Sequence, residues 1–360
     1  MRISTLRIVR SAVAIAVLAG PMSAARADGT PSSWNWQLVS AGFSPDGGNV
    51  NSSLPSLFAA STSDVYLTGC YRCLFRWNGT TFSSQTQPAG ANRYTVSGAP
   101  GSAIYSAGQQ GYQSGNLLQF NGTTWTNVLT TGGELFNTYV APDGGVFVVG
   151  DGTFYRNTGI GFNSVNTGLS TAFNTDRLLA VTGFSSNDVF MGGYNGRILR
   201  YDGTSITSMN TGVNAAFVAM DGTSASNLFA VGNNGIVMFF NGTTWTQLPS
   251  LGNVGLFGVK ALGPNDVLVS GENGLLARWN GVSWTTINLG TTNRLGAIST
   301  PDAGKTLFIA EATYTDVRFR LGSAVFAPTT VPEPATTVLV ALGLAGVMVV
   351  RARRRGVGSV

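Results

Sequence analysis

The sequence predicts an all-β fold, a single β-propeller of seven four-stranded blades followed by a short C-terminal hydrophobic helix. The main observation is a repeat of roughly 40 residues along the central chain. No segment between residues 34 and 327 shows a sustained apolar period of 3.6 residues, which is the pattern of an amphipathic helix. Glycine accounts for 48 of the 360 residues without a Gly-X-Y period, which excludes collagen.

The most regular part of each repeat is an apolar strand that starts with Asp or Asn and reaches a glycine five residues later. An Asn-Gly or Asp-Gly pair begins fourteen residues after that start, and a large apolar residue follows four residues further on. Four copies keep this spacing, and they start at Asp64, Asp188, Asn227 and Asp266. Asn-Gly between apolar runs predicts a hairpin, because both turn residues need positive φ. With one apolar strand before it, each unit has the four strands of a propeller blade.

Seven units fit between residues 34 and 327, although two of them are degenerate, so six or eight blades remain open alternatives. A fifth clear copy surrounds Asn121-Gly122. The N-terminal segment Trp34–Val39 is similar to the fourth strand Trp245–Leu248, yet it precedes the first full unit. We therefore expect it to close the ring by pairing with the last blade, which leaves no sheet edge open there.

The repeats resemble those of secreted bacterial propellers of the BNR-like and photosystem II assembly-factor-like types. The resemblance lies in the pattern S-x-D-V-x-x-x-G, followed by G-x-[IL]-x-R-[YW]-[DN]-G-x-x-W. It implies the architecture. Because one propeller fold serves lyases, hydrolases, lectins and scaffolds, it implies no particular function.

The N-terminal end has the features of a secretory signal peptide. Three arginines precede the apolar run Ser11–Gly20, and Ala25-Arg26-Ala27 forms an A-x-A cleavage site. Asp28 is the predicted first residue of the mature chain. An N-terminal membrane anchor is the alternative, but the apolar run is short for a membrane span.

The C-terminal end contains Pro332-Glu333-Pro334, then the uncharged run 335–350, then an arginine cluster over 351–355. As a helix this run would be about 24 Å long, just under the usual minimum for a membrane span. The arginines would keep the extreme C-terminus in the cytoplasm. This order resembles the PEP-CTERM sorting signal of exported bacterial proteins, and Pro332, Glu333 and Pro334 carry the resemblance.

The resemblance implies an exosortase as processing partner, a transient anchor in the inner membrane, removal of the tail, and a final place at the cell surface or in the extracellular matrix. A plain tail anchor is the alternative. The predicted segments are a signal peptide over 1–27, a propeller over 28–330, the sorting signal over 331–355 and a tail over 356–360.

The two ends also determine the charge of the precursor. Removing them takes away eight arginines and leaves 13 basic and 16 acidic residues, so the net charge changes from +5 to about −3. The sequence pI of 9.4 therefore gives no support for a nucleic-acid partner. The chain contains no histidine, which excludes a Ser-His-Asp triad and a His-ligated metal site.

Cys70 and Cys73 are the only cysteines, and they lie at the predicted turn between the second and third strands of the first blade. In an exported protein this C-x-x-C spacing favours a disulfide that closes the hairpin. Zinc would need two further ligands, so we expect no metal site. Free thiols and a redox role are the alternatives.

Arg93, Arg177 and Arg294 each stand immediately before a predicted first strand, in blades two, four and seven. First strands of a propeller line its central channel, so we expect these residues at one mouth of it. Guanidinium groups suit carboxylates, sulfates and phosphates, and the three residues are therefore a candidate anion-binding site. Solvated loop charges are the alternative.

Two other repeated features are interpreted as structural. Asp64, Asp188 and Asp266 are expected to cap turns through hydrogen bonds to the backbone. No blade has a D-x-D-x-D-G calcium loop. The repeated Trp and Tyr residues are expected to pack between blades rather than to line a sugar site.

These observations favour a non-enzymatic cell-surface or matrix propeller that binds an acidic polysaccharide or a protein partner, without a cofactor. The alternative is an extracellular polysaccharide hydrolase or lyase, which would need paired carboxylates or a Tyr/Arg pair in one cleft. Glu134, Asp176 and Glu272 are available, but nothing in the sequence pairs them. A third possibility is a purely structural component without a ligand.

Overall fold

The computed structural model describes residues 31–40, 55–68, 73–88, 91–99, 101–111, 113–172, 174–312 and 317–325. Residues 33–325 form one compact unit. The predicted signal peptide, the Pro-Glu-Pro motif, the C-terminal helix and Cys70 all lie outside the described residues.

The unit consists of strands numbered in chain order. They are β1 (Ser33–Ser40); β2 (Ser56–Ser61), β3 (Asp64–Thr68), β4 (Phe75–Trp77) and β5 (Phe82–Ser84); β6 (Ala91–Ser97), β7 (Ile104–Gln110), β8 (Gly115–Phe120) and β9 (Trp125–Thr131); β10 (Leu135–Val140), β11 (Val146–Gly150), β12 (Phe154–Asn157) and β13 (Phe162–Val165); β14 (Leu178–Ser185), β15 (Asp188–Gly193), β16 (Ile198–Tyr201) and β17 (Ile206–Met209); β18 (Phe217–Ser224), β19 (Asn227–Gly232), β20 (Val237–Phe240) and β21 (Trp245–Gln247); β22 (Leu256–Gly263), β23 (Asp266–Gly271), β24 (Leu276–Trp279) and β25 (Trp284–Thr286); and β26 (Arg294–Ser299), β27 (Thr306–Ala312) and β28 (Val317–Val325).

These strands form seven four-stranded antiparallel sheets, and in six of them the four strands lie side by side in chain order. Blades 1 to 6 begin at β2, β6, β10, β14, β18 and β22. Blade 7 consists of β26, β27, β28 and β1. The prediction of seven blades is confirmed. A 3-10 turn, Glu272–Gly274, follows β23. Among the described residues no helix is long and apolar enough to cross a membrane.

The N-terminal strand closes the ring, as the sequence predicts. β1 pairs with β28 over eight residue pairs, from Ser33 opposite Val325 to Ser40 opposite Arg318. Trp34 fixes this strand, because its indole N–H donates to the carbonyl oxygen of Gly304 at 2.8 Å and its side chain is buried. The first and last strands of the propeller therefore belong to one sheet.

A buried carboxylate holds the closing blade together. Glu311 in β27 forms ion pairs with Arg318 (3.0 Å) and Arg320 (2.5 Å) of β28, and its side chain is fully buried. Burial favours the neutral form of Glu311, but hydrogen bonds from Arg320, Asn293 and Thr291 outweigh it and hold its pKa below the ordinary value. The carboxylate is therefore charged in the folded protein at neutral pH.

The hydrophobic core lies between the blades. Every residue of the second strands β19 and β23 is buried, because both faces of these strands pack against apolar side chains. One cluster joins Phe229 and Val231 of blade 5 to Val259 and Trp279 of blade 6. Equivalent clusters fill the other gaps, including the one between blades 7 and 1. The repeat is thus a packing unit whose core is completed by the next copy.

The Asn-Gly and Asp-Gly pairs form the hairpins between third and fourth strands. In each, a side-chain oxygen accepts the backbone N–H groups two and three residues later, as at Asn78 with Thr80 (3.0 Å) and Thr81 (2.9 Å). The same turn occurs at Asn121, Asp202, Asn241 and Asn280.

A second glycine turn joins each of several blades to the next. Gly274 has φ +69° between β23 and β24, and its N–H donates to the carbonyl oxygen of Asn293 at 2.8 Å. A Cβ atom at this position would lie 1.9 Å from the carbonyl oxygen of Thr291. Glycine is required here both for the left-handed backbone and for the close approach of the following blade.

The repeated aspartates make a contact that the sequence analysis does not predict. Their carboxylates pair with an arginine twelve residues later in the third strand. The pairs are Asp64–Arg76 (2.6 Å), Asp188–Arg200 (2.8 Å) and Asp266–Arg278 (2.6 Å). The residues lie diagonally on neighbouring strands, where long side chains reach each other.

Blade 5 replaces both partners of this ion pair. Asn227 stands in place of the aspartate, and Phe239 stands in place of the arginine. The Phe239 ring lies 5.0 Å from the ring of Phe229. Blade 5 therefore lacks both charges, as expected if an unpaired buried charge is costly. Blade 3 keeps the arginine alone, because Arg156 stands opposite Phe147 and Gly145 takes the place of the aspartate.

Candidate functional site

The central channel contains a cavity of about 490 Å³ lined by residues from the first strands of all seven blades. Its size falls within the range of small-ligand sites, roughly 300–1,000 Å³. The lining is mixed. It includes aromatic rings, aliphatic side chains and three charged residues, Glu134, Arg177 and Asp221.

Five of the side chains that line this cavity belong to residues at β-bulges. The pairing register shifts at one residue near the start of β6, β10, β14, β18 and β22. The residues at the shifts are Tyr94, Phe136, Leu179, Val218 and Phe257, and all five line the cavity. A bulge leaves one residue without a cross-strand partner and turns its side chain out of the sheet. The channel thus presents three aromatic rings at equivalent positions.

Arg177 lies beside these rings and connects blades 3 and 4. Its guanidinium forms ion pairs with Glu134 (3.2 Å) and Asp151 (3.0 Å) and stands 4.7 Å from the centre of the Phe136 ring. The pKa of Glu134 is raised, mainly because the carboxyl group is buried. Arg177 lowers this pKa and Asp151 raises it, and both effects are smaller than that of burial. With both carboxylates ionised, the group carries a net charge of −1, so Arg177 leaves no excess positive charge for an anion.

Tyr94 provides a neutral hydroxyl at the channel. Its ring lies 5.7 Å from the Phe136 ring, and its hydroxyl lies 3.2 Å from Oε1 of Gln109, to which it donates a hydrogen bond. Burial, with a smaller contribution from Glu134, raises the pKa of Tyr94 to about 12. The phenol is therefore a hydrogen-bond donor at neutral pH and not a base.

The structure separates Arg93 from the other two arginines. Arg93 pairs with Gly108 and Leu178 pairs with Gly193, and these glycines occupy the same place in their second strands. Arg93 thus occupies the position of Leu178, one residue further along than Arg177. Since successive residues of a strand point to opposite faces, Arg93 points into the sheet packing. The expectation of three equivalent positions is wrong for this residue.

Arg93 has no exposed surface. Its guanidinium donates to the carbonyl oxygen of Ser106 (3.2 Å) and to Oδ1 of Asn116, and burial lowers its pKa to about 10. Arg294 begins β26 and stands 5.0 Å from the centre of the Phe257 ring. A shared ligand-binding role for Arg93, Arg177 and Arg294 stays a prediction.

Cys73 is disulfide-bonded and almost fully buried. The hydroxyl of Thr68 lies within hydrogen-bonding distance of the carbonyl oxygens of Cys73 (2.9 Å) and Arg93 (3.0 Å) and donates its single hydrogen between them, which links this part of blade 1 to blade 2. Cys70 lies outside the described residues, so its pairing with Cys73 stays a prediction.

The carboxylates considered for catalysis have structural contacts. Asp176 accepts a hydrogen bond from Arg197 at 2.8 Å, and Glu272 accepts the backbone N–H of Gly255 at 2.9 Å. The contact of Glu272 with Gly255 recurs in two other blades, where the side chains of Asp151 and Asn233 accept the backbone N–H of the residue seventeen positions earlier. Within the described ranges, no group of three or more Cys, Asp and Glu residues could hold a metal ion.

Comparison with known families concerns the C-terminal end. Residues 330–355 match the family described as the PEP-CTERM protein-sorting motif. The chain carries a PEP-CTERM sorting signal. This signal implies export, exosortase processing and sorting to the cell surface. It covers the end of the chain and leaves the role of the propeller open.

Solved structures establish what the propeller resembles. YCF48 bound to a D1 peptide is 15% identical with a TM-score of 0.61, and the match covers 81% of this chain and 98% of that chain. YCF48 from Cyanidioschyzon merolae is 15% identical with a TM-score of 0.59, and coverage is 79% and 98%. The WD40 propeller domain of Doa1 is 14% identical with a TM-score of 0.61, and coverage is 80% and 97%. These identities show the fold alone. A search of curated proteins gives no match.

Proposed function

We propose that the protein is a non-enzymatic binding module of the cell surface or extracellular matrix, and that the mouth of its central channel takes an extended segment of a protein partner. The observation that carries this proposal is the set of three aromatic bulge residues, Tyr94, Phe136 and Phe257, beside the Arg177 ion pairs in one cavity.

The charge distribution favours a protein partner over an acidic polysaccharide. Arg177 already contacts two carboxylates, and Arg93 has no exposed surface. Asp221, the remaining charged residue of the lining, pairs with Lys260 at 3.1 Å. A polymer with a negative charge on many of its units requires a positive surface, and this lining does not supply one.

A peptide matches the lining in two respects. Aromatic rings provide large contact areas for apolar side chains, and they are enriched among the residues that contribute most to binding energy. Polar groups such as the Tyr94 hydroxyl and the Asn137 amide suit the hydrogen-bonding groups of a peptide backbone. YCF48, whose propeller is similar in fold, has been solved with a D1 peptide bound.

The test uses a phage-displayed library of linear peptides panned on the full chain, with affinities of the recovered peptides measured by fluorescence anisotropy. We expect Phe136→Ala and Phe257→Ala each to weaken binding about 30-fold, the effect of removing about 2 kcal/mol. Phe239→Ala removes a half-buried ring of blade 5 outside the cavity and is the matched control. Equal losses in all three variants, or retention of acidic polysaccharide but of no peptide, would contradict the proposal.

The transient membrane anchor and the removal of the tail are also proposals. We expect the mature protein to lack residues 1–27 and the residues beyond the Pro-Glu-Pro motif. Mass spectrometry of the surface fraction tests this directly. Recovery of peptides that contain Leu342 or Val349 from that fraction would refute removal of the tail.

A further inference from the structure

A second cavity lies at the outer edge of the propeller, between blades 4 and 5. Its volume is about 630 Å³. One side is formed by β17 and the loop that follows it, and the other by the turn before β21. We call it the rim groove. It shares no lining residue with the channel cavity.

The rim groove combines one aromatic ring with free hydroxyl groups. Trp245 is half-buried, and its ring stacks on Phe240 at 5.0 Å. Three exposed residues of the groove have hydroxyl groups that form no hydrogen bond within the described part of the chain, and they are Thr207, Ser208 and Thr243. The only charged residue of the lining, Arg200, pairs with Asp188 at 2.8 Å. The groove therefore combines an apolar surface with unpaired hydroxyl groups and has no net charge.

The equivalent place between blades 5 and 6 is built differently. There the indole N–H of Trp284 donates to the carbonyl oxygen of Pro249 at 2.9 Å, which ties the two blades together at the rim. Asn210 occupies in blade 4 the place that Pro249 has in blade 5. The indole N–H of Trp245 is shielded from solvent and has no hydrogen-bond partner among the described residues. Such groups are rare in folded proteins, and among the described residues Trp125, at the equivalent position of blade 2, has another. The unpaired indole N–H therefore distinguishes the groove from the place between blades 5 and 6.

We propose that the rim groove binds a chain of a neutral polysaccharide. The apolar faces of sugar rings pack on aromatic side chains such as Trp245. Sugar hydroxyls both donate and accept hydrogen bonds, and so do the hydroxyls of Thr207, Ser208 and Thr243. The absence of net charge separates this ligand from an acidic polymer. The inference goes beyond the proposed function, because it assigns a second site with a different ligand class.

The experiment is affinity gel electrophoresis of the full chain with dextran, galactomannan, soluble xylan and hydroxyethyl cellulose as probes. We expect retardation by at least one of them, and a loss of affinity of at least about tenfold in Trp245→Ala. Trp284→Ala is the matched control, because it truncates the same residue type at the equivalent position of blade 6 and leaves the groove intact. It is expected to retain the affinity of the unmodified chain.

A second variant tests the hydroxyl groups without removing a ring. Thr207→Val combined with Ser208→Ala changes two exposed side chains and is expected to weaken the same interaction about three- to tenfold at an unchanged melting temperature. Binding of channel peptides by both variants should be unaltered, which keeps this test separate from that of the proposed function. Lack of retardation by every polysaccharide, equal losses in Trp245→Ala and Trp284→Ala, or full affinity in the hydroxyl variant would overturn the proposal.

Discussion

Replacing Arg278 by alanine should destabilise the propeller far more than the same replacement at Arg76. Both arginines belong to the repeated Asp–Arg pair, and both stand over an aromatic ring, that of Trp34 at 4.7 Å and that of Tyr66 at 5.5 Å. They differ in burial. The side chains of Arg278 and Asp266 are 13% and 4% exposed, whereas those of Arg76 and Asp64 are 38% and 27% exposed.

The magnitudes follow from that difference. Arg278 donates to both carboxylate oxygens of Asp266, at 2.6 and 2.7 Å. Removing one partner of a buried ion pair costs about 3–5 kcal/mol, because the remaining charge is no longer compensated. The pair at Arg76 is solvated, and exposed pairs contribute only about 0–1 kcal/mol. Since the ring contact is lost in both variants, the difference of roughly 2–5 kcal/mol in the free energy of unfolding reports on burial.

The assay is urea unfolding of the two variants, followed by tryptophan fluorescence and circular dichroism, with free energies from linear extrapolation. The variant Arg278→Phe/Asp266→Asn introduces the residues that blade 5 has at these positions. It should recover part of the loss seen in Arg278→Ala, because no buried charge remains. Equal free-energy losses for Arg76→Ala and Arg278→Ala, within about 0.5 kcal/mol, would show that burial does not set the strength of these pairs.

Three further predictions concern the closing blade and the turns. Glu311→Gln should reduce the loss of unfolding free energy that the protein shows as the pH falls. The pKa of Glu311 is lower in the folded than in the unfolded protein, so the carboxylate stabilises the fold fully above its unfolded pKa. This stabilisation is lost as the pH falls through the folded pKa. Urea titrations between pH 3 and 7 measure this. Gly274→Ala should lower the free energy of unfolding clearly more than Gly144→Ala. Gly144 has φ +90°, but a Cβ atom there would meet open space, so its replacement should lower the free energy of unfolding by about 1–2 kcal/mol. Trp34→Ala should cost about 3–5 kcal/mol in thermal unfolding; a loss below about 1 kcal/mol would mean that β1 contributes little to closure.

The blade count could be predicted because each repeat has short strands and turns at fixed spacing. The alignment of blade 2 with the other repeats could not be predicted to the exact residue. At its two marker positions, Ala103 and Gln119 replace the aspartate and arginine of the ion pair. Without those markers, a one-residue error in the alignment goes unnoticed, and in a strand it exchanges the two faces. Arg93 was therefore expected at the channel mouth although it lies in the core.

The aromatic residues of the channel were also missed. In the sequence, Tyr94, Phe136 and Phe257 look like ordinary residues near the start of apolar strands. The direction of their side chains depends on bulges that the alternating pattern does not reveal. The Asp–Arg pair, in contrast, has a signal in the sequence. Its partners are always twelve residues apart, and blade 5 changes both together at Asn227 and Phe239.

The pairing of β1 with β28 makes the order of export matter for folding. The predicted signal peptide at residues 1–27 would lead the chain across the membrane from its N-terminus, so that Ser33–Ser40 would emerge first and its partner Val317–Val325 last. Inner blades can assemble as they appear, because each consists of consecutive strands. Blade 7 cannot form until β28 has crossed the membrane, and until then β1 presents an unpaired edge to neighbouring chains. In that order of export, the ring would be completed when the segment that precedes the sorting signal arrives, and only fully translocated chains could become closed propellers.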